Sequence, residues 1–214
     1  FIANASSQDK LFTIIDPNQT GIHFSNDLID TKENNVFLYA NFYGGAGVGV
    51  GDFDNDGLDD LFFAGNLVDD KIYKNLGNLK FQDKTPNSGI INDSSWSTGV
   101  TVADVNNDGL LDIYVSCELY DDQPKLRTNK LYINKGNFEF DELAAKWNVD
   151  VDRRTRHAVF FDYNKDGLLD LYLLNHPPNT GNFSPFLGTD MKLPEYNLQL
   201  FENKEGYFKD VTAK

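Results

Sequence analysis

Basic residues are scarce: 19 Lys and Arg stand against 33 Asp and Glu, a formal net charge of -14. Such a surface repels phosphate backbones, so nucleic acid is excluded as an expected partner. No apolar run reaches the roughly 18 residues that would span a bilayer, so no transmembrane helix is expected. One cysteine, Cys117, leaves no internal disulfide and no thiolate zinc site. The chain has a single Met but 17 Gly and 24 Asn, which favour turns and short strands over long helices. Apolar residues at 40% and aromatics at 14% are enough to build a core, so the chain is not of disordered composition.

What is present is a repeat. The segments GVGVGDFDNDGLDDLFFAG (47–65), GVTVADVNNDGLLDIYVSC (99–117) and HAVFFDYNKDGLLDLYLLN (157–175) align without gaps. A second element follows each of them: KIYKNLGNLKFQD from Lys71, KLYINKGNFEFDE from Lys130 and QLFENKEGYFKDV from Gln199. Every unit therefore contains four short strands, a to d, with turn chemistry in the gaps. In the first unit these lie near 46–51, 60–65, 71–75 and 79–84. Four strands recurring every 50–60 residues predict the four-stranded antiparallel blades of an all-β propeller. A β-sandwich is the alternative, but it does not explain a loop repeated at the same strand junction.

The expected units are 46–85, 98–142 and 157–212, after a flexible terminus or signal remnant at 1–10. The stretch LFTIIDPNQTGI (11–22) resembles LKFQDKTPNSGI (79–90), the fourth strand and linker of the first unit. This predicts an extra leading strand at 11–15, and three blades plus a strand imply part of a larger propeller. Four N-x-S/T triplets stand where about two would arise by chance from 24 Asn, too small an excess to infer glycosylation.

Each a-to-b junction has the spacing D-x-[DN]-x-D-G-x-x-D. The first offers Asp52, Asp54, Asp56 and Asp60, the second Asp104, Asn106, Asp108 and Asp112, the third Asp162, Asn164, Asp166 and Asp170. Oxygens at positions 1, 3 and 5 can curl around a hard cation. The carbonyls of Leu58, Leu110 and Leu168 at position 7 can add a ligand, and position 9 can close the shell. Oxygen-only donors favour Ca²⁺ over Zn²⁺. An EF-hand would need Glu at position 12, where Phe63, Val115 and Leu173 stand inside apolar strands. One such loop could be a plain polar turn, but three equivalent copies predict three Ca²⁺ sites. The first loop has four aspartates where the others have three and an Asn, so charge alone predicts that it fills first.

These loops and their flanking strands resemble FG-GAP/VCBS repeats, the blade type of integrin α-chain propellers. The stretch 11–24 followed by 44–66 is also similar to the start of large VCBS-repeat proteins of Bacteroidetes, which often end in an ASPIC/UnbV segment. The resemblance implies an extracellular or outer-membrane location, secreted or lipid-anchored, and association with outer-membrane uptake proteins. Some such relatives carry an RNA-binding label, which the charge of -14 does not support.

Hairpin topology puts the a–b and c–d loops on one face, and the b–c and d–a loops on the other. The second face holds the long connections, rich in aromatics and Arg, which suit a glycan or protein ligand. Tyr120, Arg154, His176 and Phe186 are the leading candidates there. For any one aromatic, packing of the loop onto the scaffold is the competing role. The expected function is a calcium-stabilised binding or scaffold module. The alternative is a calcium-dependent carbohydrate-active enzyme, a lyase or glycosidase, with His157, His176, Tyr196 and the Arg cluster as acid–base candidates.

Overall fold

The computed structural model describes residues 12–39, 41–119, 124–176 and 198–212. Among these residues, twelve strands form three four-stranded antiparallel sheets, each in plain sequence order. The first sheet contains β1 (Val48–Gly51), β2 (Asp60–Phe63), β3 (Lys71–Asn75) and β4 (Phe81–Asp83). The second contains β5 (Ser97–Ala103), β6 (Asp112–Cys117), β7 (Lys130–Asn134) and β8 (Phe140–Glu142). The third contains β9 (Thr155–Phe161), β10 (Asp170–Asn175), β11 (Gln199–Asn203) and β12 (Phe208–Asp210). Register repeats with the sequence: Tyr73 pairs with Asp83, Tyr132 with Glu142 and Phe201 with Asp210. These are propeller-type blades, as the repeat predicts.

The blades stack through their first strands, β1 against β5 and β5 against β9. Gly49 and Gly51 make the first contact possible. A Cβ on Gly49 would lie 2.7 Å from Val100 Cγ1, and one on Gly51 would lie 2.8 Å from Leu111 Cδ1. The middle blade is covered on both faces, so β6 and β7 are buried along their whole length. That explains why DIYVSC and KLYIN lack clean alternation, whereas β1 alternates exposed and buried. Phe53, Phe62, Ile72, Ile113 and Tyr132 pack in the core shared by the first two blades. Tyr114, Leu131, Leu171, Phe201 and Phe208 pack in the core shared by the second and third.

Of the expected strand at 11–15, residues 12–15 are described and form no strand. Residues 12–16 pair with no sheet, Phe12 is 89% and Ile14 100% exposed, and Pro17–Thr20 makes one helical turn. The contrast is in pairing: β4 and β8 each form against the third strand of their own blade, whereas residues 12–16 have no strand partner among the described residues. The linker half of the resemblance does hold. A Cβ on Gly21 would meet the Phe81 carbonyl oxygen at 2.5 Å, and one on Gly89 would meet that of Phe140 at 2.0 Å. Each linker thus lies on the fourth strand of the blade that follows. Among the described residues, no helix is long and apolar enough to cross a membrane.

Candidate metal centre

The three a–b loops are built by the same hydrogen bonds. At position 1, Asp52 accepts from the N–H groups of Asp56 at 3.0 Å and Gly57 at 2.7 Å. Asp104 accepts from Asp108 at 3.1 Å and Gly109 at 2.8 Å, and Asp162 from Asp166 at 3.1 Å and Gly167 at 3.0 Å. At position 5, Asp56, Asp108 and Asp166 accept from the N–H groups of Leu58, Leu110 and Leu168. The turn takes positive φ at position 4, in Asn55, Asn107 and Lys165, and again at Gly57, Gly109 and Gly167. Glycine there removes the Cβ clash of the left-handed backbone.

Position 9 is the buried end of each loop. Asp60, Asp112 and Asp170 are at most 1% exposed. Each accepts two backbone N–H groups: Asp60 from Phe53 (2.9 Å) and Asn75 (2.7 Å), Asp112 from Val105 (2.9 Å) and Asn134 (2.8 Å), Asp170 from Tyr163 (3.1 Å) and Asn203 (2.8 Å). The carboxylate therefore ties the loop to the third strand of its own blade. Burial pushes the carboxyl of Asp112 up to about 7, with Asp108 and Asp104 adding to the rise, and burial also raises Asp60 and Asp170. A cation beside them would offset that cost.

The donor set of the first loop fits a hard cation. Carboxylate oxygens of Asp52, Asp54 and Asp60 all lie within 4.8 Å of one another. Asp54 Oδ1 is buried and has no hydrogen-bond partner. The second and third loops place an amide at position 3. Asn106 Nδ2 donates to Asp108 at 2.8 Å, and Asn164 Nδ2 donates to Asp166 at 2.9 Å. Neighbouring loops are also linked, Asn55 Nδ2 to the Gly109 carbonyl at 3.1 Å and Asn107 Nδ2 to that of Gly167 at 3.4 Å.

Two features of this face escape the loop spacing. Lys74 on β3 forms ion pairs with Asp54 and with Asp56, the latter at 2.7 Å. The last residue of each third strand is Asn75, Asn134 or Asn203, whose N–H holds the position-9 carboxylate. The signal for the second was present in KIYKN, KLYIN and QLFEN, which share only that Asn throughout. The second and third loops also flank a cleft of about 390 Å³, lined by Asn106, Asn107, Trp147, Leu168 and Glu205. The a–b loops and the β11–β12 turn therefore do share one face.

On the other side, Tyr39, Phe42, Trp96 and Leu119 form a separate apolar cluster. Tyr39 donates its hydroxyl to Glu118, which also pairs with Arg156 and is 1% exposed. Burial, then Glu118, holds the Tyr39 phenol well above its ordinary value. Sequence reasoning missed Glu118, an acid that directly follows an apolar strand. Arg154 is buried, and its carbonyl accepts the N–H of His176, which is exposed, at 2.7 Å. Tyr120, Phe186 and Tyr196 lie outside the described residues, and His157 is exposed on β9.

A family model described as an FG-GAP-like repeat matches residues 52–115, from the first Asp of the first loop to Val115 in β6. Among curated proteins, none matches the chain at a significant level.

Proposed function

We propose that this chain is a calcium-stabilised β-propeller module that binds or scaffolds partners outside the cell. The observation that carries the reading is the convergence of Asp52, Asp54 and Asp60 around the orphaned, buried Asp54 Oδ1, in a loop whose backbone is reproduced twice more. Asp52, Asp54, Asp56 and Asp60, with the Leu58 carbonyl, would hold the first ion. Asp104, Asn106, Asp108, Leu110 and Asp112 would hold the second. Asp162, Asn164, Asp166, Leu168 and Asp170 would hold the third. Calcium supplies countercharge for ten loop carboxylates. The protein's own part is to preform the turn by hydrogen bonds and to fasten it to the blade through position 9.

The FG-GAP-like match supports the repeat type, and the extracellular bacterial setting follows from the wider resemblance. Recognition of a glycan or protein is assigned to the face opposite the loops, with Tyr120, Arg154, His176 and Phe186 as its candidates, and a partner among outer-membrane uptake proteins fits the same setting. Calcium then acts by stiffening the blades. Calorimetric titration of chelator-stripped protein tests the metal, with binding of up to three Ca²⁺ and a higher melting temperature expected. No binding and no melting shift would refute it. A glycan array read with wild type and Phe186→Ala tests the face. Loss of a hit in that variant, with its melting temperature intact, supports the assignment.

A further inference from the structure

The first loop is the most acidic of the three by sequence, yet among the described residues it is the one with a lysine ion-paired to two of its carboxylates. Lys74 Nζ contacts Asp54 at position 3 and Asp56 at position 5, the latter at 2.7 Å, and lies 5.6 Å from the centroid of the Phe138 ring of the next blade. Two carboxylates and a ring face form a cation seat, and the ammonium is in it. The lysine side chain is 21% exposed and that of Asp54 14%, so this pair is less screened than an open surface bridge.

The same position differs in the other blades. Strand register equates Lys74, paired with Gln82, to Ile133, paired with Asp141, and to Glu202, paired with Lys209. Ile133 is buried in the core between blades and brings no charge to its loop. Glu202 faces the third loop, accepts from Asn164 Nδ2 at 3.3 Å, and takes Lys204 at 2.9 Å. There the cation is ion-paired with a strand carboxylate, and it acts on the loop's Asp166 through its charge without an ion-pair contact. Among the described residues, the first loop is the one in which an incoming ion would have to evict a cation from two of its ligands.

We propose that Lys74 is a resident counter-ion of the first loop, so that calcium must displace its ammonium there and this loop is the weakest of the three sites. This inference rests on the calcium reading above. It reverses the order expected from counting aspartates, because one of the four charges is already spoken for and two ligand side chains must break an ion pair before they bind. It also gives the first loop a way to stay folded when calcium is low, since its repulsion is relieved from within.

The test is calorimetric titration of Ca²⁺ into the chelator-stripped 214-residue chain, wild type against Lys74→Gln and Lys74→Ile. Gln keeps the site polar, and Ile copies the residue of the second blade, so a folding failure of one leaves the other. One site is expected to tighten on the order of tenfold, as affinity follows ligand charge. The other two should not move, and the gain should vanish in an Asp52→Asn background. The melting temperature in chelator should fall in both Lys74 variants relative to wild type. Calcium binding with unchanged constants, or a gain that survives Asp52→Asn, overturns the proposal and leaves the calcium reading standing. No calcium binding by wild type or variants overturns both.

Discussion

Asn134 of the second blade donates its side-chain Nδ2 to the backbone carbonyl of Phe53 in the first, at 2.8 Å. Asn203 repeats this from the third blade to the Val105 carbonyl of the second, at 3.0 Å. The same amides hold their own loops, through the carbonyls of Leu111 and Leu169 at 3.0 Å. A single side chain therefore joins one blade's a–b loop to the next. Asn75 occupies the equivalent place in the first blade and donates within its own blade, to the Asp59 carbonyl at 2.8 Å.

Asn134→Ala should be far more costly than Asn75→Ala. The first leaves the Phe53 and Leu111 carbonyls and the Gly136 N–H without this partner in a buried site, and about 2–3 kcal/mol of stability is expected to be lost. The second breaks bonds in a half-buried position, and about 1 kcal/mol is expected. Urea melts followed by tyrosine and tryptophan fluorescence would rank them. Equal losses would mean that the inter-blade bond contributes nothing.

Two glycines with the same backbone conformation separate steric need from conformational need. Gly89 and Gly109 both have φ of +85°. A Cβ on Gly89 would sit 2.0 Å from the Phe140 carbonyl oxygen, while nothing lies within 4 Å of one on Gly109. Gly109→Ala should therefore carry only the left-handed penalty, about 1–2 kcal/mol. Gly89→Ala should carry that plus displacement of the linker from β8, and it should exceed Gly109→Ala in any denaturant series. A smaller loss at Gly89 would show that the linker lifts off freely.

The repeat makes the blades legible because each element is copied with its register. Thus the expected strands at 60–65 and 71–75 begin at the residues where β2 and β3 begin, Asp60 and Lys71. The a–b loops are legible because the hydrogen bonds that shape their turns link residues two to five apart. What lies across strands is not. Lys74 is 20 residues from Asp54, and in sequence it is a polar residue on an alternating strand. Asp60 looks like a metal ligand by spacing, yet both of its oxygens also take backbone N–H groups, one of them from Asn75, 15 residues away. The leading segment failed for the converse reason: local likeness to β4 carries the linker, but a strand needs a neighbour.

Stability should depend on pH through Asp70. This residue is 3% exposed, accepts the Gly65 N–H at 2.8 Å and the Ser97 hydroxyl at 3.1 Å, and burial pushes its carboxyl up to about 6 despite nearby Lys130. Lys130 stays charged, bonded to Asp93 and Ser95, and the Cys117 thiol, raised to about 12 by burial, is neutral. A carboxyl raised in the folded state keeps its proton after the unfolded chain has lost it. Its contribution therefore falls as pH rises from about 4 to about 6, and stays low above that. Asp70→Asn removes the ionisation and can still accept from Gly65 and donate to Ser97. The stability of Asp70→Asn relative to wild type should thus climb with pH across this window, by up to about 3 kcal/mol, and then level off. A flat difference would show that Lys130 fully compensates the buried charge.

The outermost sheet faces predict self-association of the 214-residue chain when it is produced alone. Within the chain, each first strand lays one face on the next blade. β1 places Gly49 and Gly51 on Val100, Val102 and Leu111, and β5 places Gly99 and Thr101 on β9, where the Thr101 hydroxyl donates to the Ala158 carbonyl at 2.7 Å. The pattern runs in one direction and leaves two complementary apolar faces. On β1, Val48 is 51% and Val50 54% exposed, and on β9, Val159 is 45% and Phe161 41% exposed. A forward face meeting a backward face already occurs twice inside the molecule, so the same contact between copies is head-to-tail and heterologous. Exposed apolar strands favour such pairing over isolated chains. Sedimentation velocity should show mass rising with concentration. Val159→Lys with Phe161→Glu should return the chain to a monomer with little change in melting temperature, because both side chains are already half exposed. A wild-type chain that stays monomeric up to its solubility limit would show that these faces are covered in some other way.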